Sequence, residues 1–189
     1  MSDVRDPVEP APGALIHADR DRELAAENWL LSAASCVKET RTAWQETGLA
    51  LLRCGVTFTA VRIPATVVHA AAETDAPERV RDYLARTLDG PVFADQFSRL
   101  FYALVPASTA DHPTWQGRIA PDAECLGTNS FLGVPRTGRE DPERSRCHWV
   151  VPMTGPGDLC TPDAVLRLID YGRHNQVVAQ EQDDNLSTP

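Results

Sequence analysis

Apolar residues recur along this chain at helical spacing, then at strand spacing, and at helical spacing again near the C-terminus. Leu24, Trp29, Leu30, Leu31 and Ala34 stand among polar residues with a helical period, which predicts a helix over Leu24–Ser35. Val37, Arg41 and Trp44 repeat the period and predict a second helix over Val37–Glu46, broken by Gly48. Leu49–Cys54 and Val56–Ile63 are β-rich runs separated by Gly55. Pro64 closes the second run because it has no N–H for a ladder. After Ala65–Ala72, the segment Pro77–Leu88 places Val80, Leu84 and Leu88 on one face behind a proline suited to a first helical turn. Asp89-Gly90-Pro91 then ends it.

Short β-branched or aromatic runs follow, cut by Gly, Pro and Asp: Val92–Ala94, Arg99–Val105, Glu124–Leu126, Phe131–Val134 and Cys147–Val151. Thr161–Tyr171 reads as a last amphipathic helix, with Thr161 as its cap, Pro162 in its first turn and Gly172 just past its end. Helix pair, two strands, helix, a mostly antiparallel strand set and a final helix together predict an α+β fold, with helices packed on a sheet. Residues 1–20 and 176–189 carry too little apolar surface to offset chain entropy, and both are expected to be disordered. Residues 21–175 are left as a single domain. A chain of 189 residues is long enough to bury a core without disulfide or metal staples.

Charge narrows the choice of partner. The chain has 18 Lys and Arg against 27 Asp and Glu, a net charge of −9. This excludes a polyanion binder that works by whole-molecule attraction, and any nucleic-acid contact needs a local groove. The cysteines Cys36, Cys54, Cys125, Cys147 and Cys160 are odd in number and widely spaced, without a CxxC pair, so reduced and mostly buried thiols are expected. Met1–Ala14 lacks the basic and apolar regions of a secretory signal. No apolar run reaches the length of a membrane span. A cytoplasmic protein is expected, with no membrane partner. Lys38 is the only lysine, and with abundant Ala, Pro and Arg this reads as GC-rich coding of the actinomycete kind.

The stretch Thr59-Ala-Val-Arg-Ile-Pro64 carries the most chemical meaning, as an apolar strand that ends in Arg62 and Pro64. A helix follows it, then Gly90-Pro91 and Phe97-Ser-Arg-Leu-Phe-Tyr102. Next come Glu124-Cys-Leu-Gly-Thr-Asn-Ser-Phe-Leu-Gly-Val-Pro135 and a hairpin, Arg139 to Val151, that returns into a Trp-containing strand. In this order the motifs resemble the primase-polymerase (prim-pol) domain of the archaeo-eukaryotic primase superfamily, over roughly residues 25–172. The resemblance implies an RRM-like, prim-pol-like mixed and mostly antiparallel sheet with helices on it. In the family, the first strand ends in an Asp-x-Asp pair that holds the catalytic metals. Arg62 and Pro64 stand there instead, the family's signature histidine falls on Leu100, and only Glu124 keeps an acidic character.

Mg²⁺ and Mn²⁺ need several oxygen ligands. The resemblance therefore implies a catalytically inactive domain without cofactor, acting as a nucleotide, nucleic-acid or protein binding module. Two alternatives come from other classes. An active primase-polymerase would take its carboxylates from elsewhere, for example Asp75, Asp95 or Asp122, and would use Mg²⁺ or Mn²⁺. A structural interaction module would have its sheet face covered by a protein partner or by a second copy in a homodimer.

Arg62, Arg99, Glu124, Arg136 and Trp115 are the candidate contacts for a nucleotide or strand. Guanidinium forks grip phosphate, and an indole stacks on a base. Each has a plainer reading beside it. Arg62 and Arg99 can pair with neighbouring acids on a solvated sheet face. Arg136, Arg139, Arg144 and Arg146 share a hairpin loop with Glu140, Asp141 and Glu143, a near-neutral mixture expected of a solvated loop. Trp29, Trp44 and Trp149 sit on apolar faces and read as core, whereas Trp115 in its polar loop stays open. Cys147 and His148 are adjacent, but strand neighbours point to opposite faces, so they do not form a nucleophile–base pair.

Overall fold

The computed structural model describes residues 12–115 and 123–186, with side chains described between residues 19 and 182 around the same gap. The chain begins with α1 (Pro12–Leu30), a short 3₁₀ turn and α2 (Val37–Glu46), followed by β1 (Leu49–Arg53) and β2 (Phe58–Pro64). Next come α3 (Ala65–Ala72), α4 (Pro77–Leu88), β3 (Val92–Asp95) and β4 (Leu100–Pro106). Strands β5 (Glu124–Cys125), β6 (Phe131–Pro135) and β7 (Cys147–Val151) precede α5 (Pro162–Leu186). The architecture is α+β, with every strand pair antiparallel. No described helix is long and apolar enough to cross a membrane.

Residues 12–20 and 176–186 are helical where disorder is expected. α1 starts at Pro12, and α5 runs through Gly172 to Leu186 without a break. These segments carry little apolar surface, yet their Ala, Arg, Glu and Gln residues lose little rotamer freedom in a helix. Residues 1–11 and 187–189 lie outside the described residues.

Five strands form a sheet in the order β5-β2-β4-β3-β7, and β1 and β6 form a separate ribbon. Strands β2 and β3 are both antiparallel to β4, which lies between them. They are therefore parallel to each other, joined through α3 and α4. This is the split β-α-β arrangement of an RRM-like sheet.

Strand alternation divides the sheet's side chains between two cores. Val61, Ile63, Val92, Ala94, Phe101, Ala103 and Val105 are buried on the side of α3, α4 and α5. There α4 contributes Val80, Leu84 and Leu88. Phe58, Ala60, Phe93, Leu104 and Trp149 face the other way, under the β1–β6 ribbon and α1–α2, with Leu30, Trp44, Leu52 and Val134. The Trp44 indole N–H donates to the Val134 carbonyl at 3.0 Å, which ties α2 to the ribbon.

This second cover spans only half of its sheet face. Where it stops, Arg62, Tyr102, Asp95 and Cys147 are left half-buried. The candidate site lies on that uncovered half.

Candidate functional site

One row of side chains crosses all five strands at the edge of the cover. The registers Glu124–Arg62, Arg62–Tyr102, Tyr102–Phe93 and Phe93–Trp149 set it. Arg62 Nη2 lies 2.6 Å from Glu124 Oε2, with the two side chains 36% and 42% exposed. A pair so open to solvent contributes about 0–1 kcal/mol to stability. Tyr102 stacks on Phe93 with centroids 4.8 Å apart and planes 15° from parallel. Phe93 in turn meets Trp149 edge-on at 5.4 Å. Burial pushes the Tyr102 hydroxyl pKa up, against the pull of Arg62. The phenol therefore stays neutral and available as a donor.

The next row outward runs Pro64, Leu100, Asp95 and Cys147. Burial raises the Asp95 pKa, but hydrogen bonds from Arg146, from Ser98 and from the backbone N–H groups of Ser98 and Phe97 outweigh it and hold the carboxyl below its usual range. Arg146 Nε sits 3.1 Å from Asp95 Oδ1. Its guanidinium also stands 4.3 Å above the Phe97 ring, which is 79% exposed. The open half is thus an aromatic platform between two ion pairs, with no net charge of its own.

The five sequence candidates do not gather into one site. Arg62 and Glu124 meet, as described. Arg99 does not belong to strand β4. It ends the β3–β4 loop with φ at +54°, and it lines a cleft beside His69 on the helix-covered side of the sheet. Arg136 pairs with Glu27 of α1 at 3.5 Å, and its carbonyl accepts the Trp149 indole N–H at 3.1 Å. It braces α1 against the ribbon, away from Arg62 and Glu124. Trp115 is 4% exposed within the helix-side core, so it offers no surface for a base to stack on. Tight packing drew the indole inward although its neighbours in sequence are polar.

The other arginines of the loop are also engaged, within the loop and outside it. Arg144 pairs with Asp141 at 3.2 Å, while Arg139 donates to Ser145 Oγ at 2.6 Å and to the Thr47 carbonyl at 2.7 Å. Asp75 and Asp95 both line the helix-side cleft, and Asp95 lies on β3, separated from Glu124 by β4 and β2. Asp122 falls outside the described residues. Among the described residues, no three His, Cys, Asp or Glu side chains come together as a metal site.

Sequence reasoning passed over Tyr102, Phe97 and Arg146. The parity of β4 held one signal, since Phe101 and Tyr102 must face opposite sides and only one of them enters the helix-side core. Nothing in the sequence marks the Arg146–Phe97 contact, which depends on β7 lying beside β3.

All five cysteines are free, with Cys36 exposed, Cys147 half-buried and the others buried. Burial, with Asp95 adding to it, pushes the Cys147 thiol up to about 12. Burial likewise takes Cys160 to about 12 and Cys125 to about 11, and raises Cys54. Since the thiolate is the reactive form, a disulfide-exchange reagent at pH 8 should modify Cys36 rapidly and the other four only as the protein unfolds. Rapid modification of Cys147 in the folded protein would contradict the packing of the open face.

Compared with family models, with curated proteins and with solved structures, the chain matches none.

Proposed function

We propose that the chain is a prim-pol-like domain without polymerase chemistry, and that the open half of its sheet binds a nucleotide or a short single strand. One observation carries this reading: the Arg62–Glu124 pair at the end of β2, on an open face beside Tyr102. Where a prim-pol strand would present acids to metal ions, this one presents a guanidinium steadied by a carboxylate. A guanidinium supplies positive charge and a planar fork of donors to a phosphate. It cannot lower the pKa of an attacking hydroxyl or bridge two reacting oxygens as a pair of metal ions does. The site is therefore fitted to hold a phosphate and not to transfer it.

Tyr102 and Phe97 supply flat surfaces for a base, in the manner of aromatic platforms on RRM sheets. Binding should be modest, because the platform is neutral and the whole chain carries −9. Few phosphates are engaged, so the salt dependence should be shallow.

Calorimetric titration with a nucleoside triphosphate and with a short oligothymidylate tests the reading. Saturable binding is expected, and Arg62→Ala should weaken it about tenfold, or about 1.4 kcal/mol. Template-dependent incorporation with Mg²⁺ or Mn²⁺ should be absent. Incorporation abolished by Glu124→Ala would establish the active alternative instead.

The interaction-module reading retains one observation in its favour. Leu51 and Phe131, 66% and 56% exposed, lie on the outer side of the β1–β6 ribbon. A chain that binds neither ligand but self-associates through that ribbon would fit it.

A further inference from the structure

A cleft of about 430 Å³ lies toward the helix side of the sheet, walled by α3, α4, β3, β4 and β7, with Asp95, Leu100 and Trp149 also in its lining. That volume is within the range of small-molecule sites. Its floor is apolar, with Ala65, Val80, Phe101 and Val150 contributing. Two imidazoles from separate elements enter it, His69 of α3 and His148 of β7. Burial lowers both pKa values. For His69, Arg99 adds to the effect and Asp75 opposes it, and for His148 the Ser145 backbone and Asp141 oppose it. A neutral imidazole offers one donor and one acceptor nitrogen. The His69 ring stands edge-on to Phe101, with centroids 6.0 Å apart and planes at 79°. His148 is 7% exposed, and its Nδ1 makes no well-formed hydrogen bond.

Arg99 stands at the mouth. Its guanidinium makes no ion pair or hydrogen bond among the described residues. Its backbone is held left-handed, at φ +54°, while its carbonyl accepts the Ala65 N–H at 2.9 Å. Left-handed arginine is uncommon. Backbone strain of this kind persists where the surroundings enforce it, and it concentrates at ligand sites.

We propose that this cleft is a second binding site, for a neutral planar nitrogen heterocycle of the nucleobase kind. Three features select that class. The lining carries both signs, Arg81 and Arg99 with Asp75, Glu78, Asp95 and Glu140, so a ligand of either charge would meet like charge there. The apolar floor accepts the face of a flat ring. The Arg99 fork suits an acceptor edge, while Asp75 and the acceptor nitrogens of the histidines suit donor groups. The open-face reading is not required, because a base without phosphate has no use for Arg62.

The test is titration of the full chain with adenosine, using benzoate and benzamidine as anionic and cationic aromatic controls. It is followed by calorimetry and by the NMR signals of the histidine ring protons. Adenosine should bind saturably and shift the His69 and His148 signals, with both controls at least tenfold weaker. Arg99→Gly removes the guanidinium while suiting the left-handed backbone, so it should keep or raise the melting temperature and weaken adenosine at least tenfold. His69→Gln, at an unchanged melting temperature, should also weaken it. Equal or tighter binding of benzoate or benzamidine would overturn the proposal, as would adenosine binding indifferent to both variants. Absence of saturable adenosine binding would overturn it too, whatever the nucleotide result on the open face.

Discussion

Replacing Trp149 by alanine is expected to lower the free energy of unfolding by about 3–5 kcal/mol, the usual loss for a large buried aromatic. For a chain of this size each kcal/mol moves the melting temperature by roughly 2–4 °C, so the midpoint should fall by about 10 °C. The indole is 2% exposed and serves two neighbours directly. Its N–H donates to the Arg136 carbonyl, just past the end of β6, and so links ribbon to sheet. Its ring meets Phe93 edge-on at 5.4 Å. Phe93 is also the surface on which Tyr102 stacks, so the vacancy would loosen the platform as well as the core. Equilibrium denaturation followed by far-UV circular dichroism measures the loss. A change below about 1 kcal/mol would mean that the indole is not packed as described. The Arg136 carbonyl would keep the Arg139 N–H as a donor at 3.3 Å, so the expected loss is one of packing.

Gly172→Ala should also destabilise the protein, although the same change in an exposed helix interior gains roughly 1 kcal/mol. Gly172 is buried within α5, against α3. A Cβ there would fall inside the van der Waals shell of the Val67 carbonyl oxygen and 3.0 Å from Val67 Cγ1. The carbonyl belongs to the α3 backbone and cannot step aside as a side chain would. On either side of the contact, Tyr171 donates to Glu73 at 2.8 Å and Asn175 donates to the Ala70 carbonyl at 2.9 Å. The two helices would have to separate and strain both bonds. A loss of about 1–3 kcal/mol is expected, as for overpacked cores. Thermal denaturation of the variant reads it directly. An unchanged or raised midpoint would show that the seam has room to spare.

Gly172 also shows how the sequence misleads. A glycine after an amphipathic stretch reads as a helix stop, and in this chain it is the point at which two backbones approach. The signals coincide because both uses depend on the missing Cβ, and only the partner helix tells them apart. Elements whose pattern is set locally were legible. In α4, Pro77 and the Val80, Leu84, Leu88 face suffice, and β7 was read residue for residue. The α+β class followed from their order.

The site was less legible, because it depends on which face each side chain takes. One residue decided the case of Arg99: counted as the first residue of a strand it shares the sheet with Arg62, but with φ at +54° it leaves the strand and turns into the cleft. No sequence rule marks an arginine for the left-handed region. Trp115 failed for a related reason, since its burial comes from core residues distant in the chain and its sequence neighbours are polar. Arg62 and Glu124 were legible as a pair of candidates, yet their contact depends on β5 joining the β2 edge.

The β1–β6 ribbon has a consequence for the order of folding. Leu51 pairs with Gly133, and β2, α3, α4, β3, β4 and β5 all lie between them in the chain. Closing a loop of that length before its interior is organised costs entropy that only a few short contacts would offset. The ribbon is thus the natural last piece to dock, and its rate of closure should follow the prior assembly of the sheet beneath it. Until it docks, Phe58, Ala60 and Leu104 keep only the α1–α2 part of their cover. A folding intermediate of this chain would be recognised by a finished helix-side core and a half-covered opposite face.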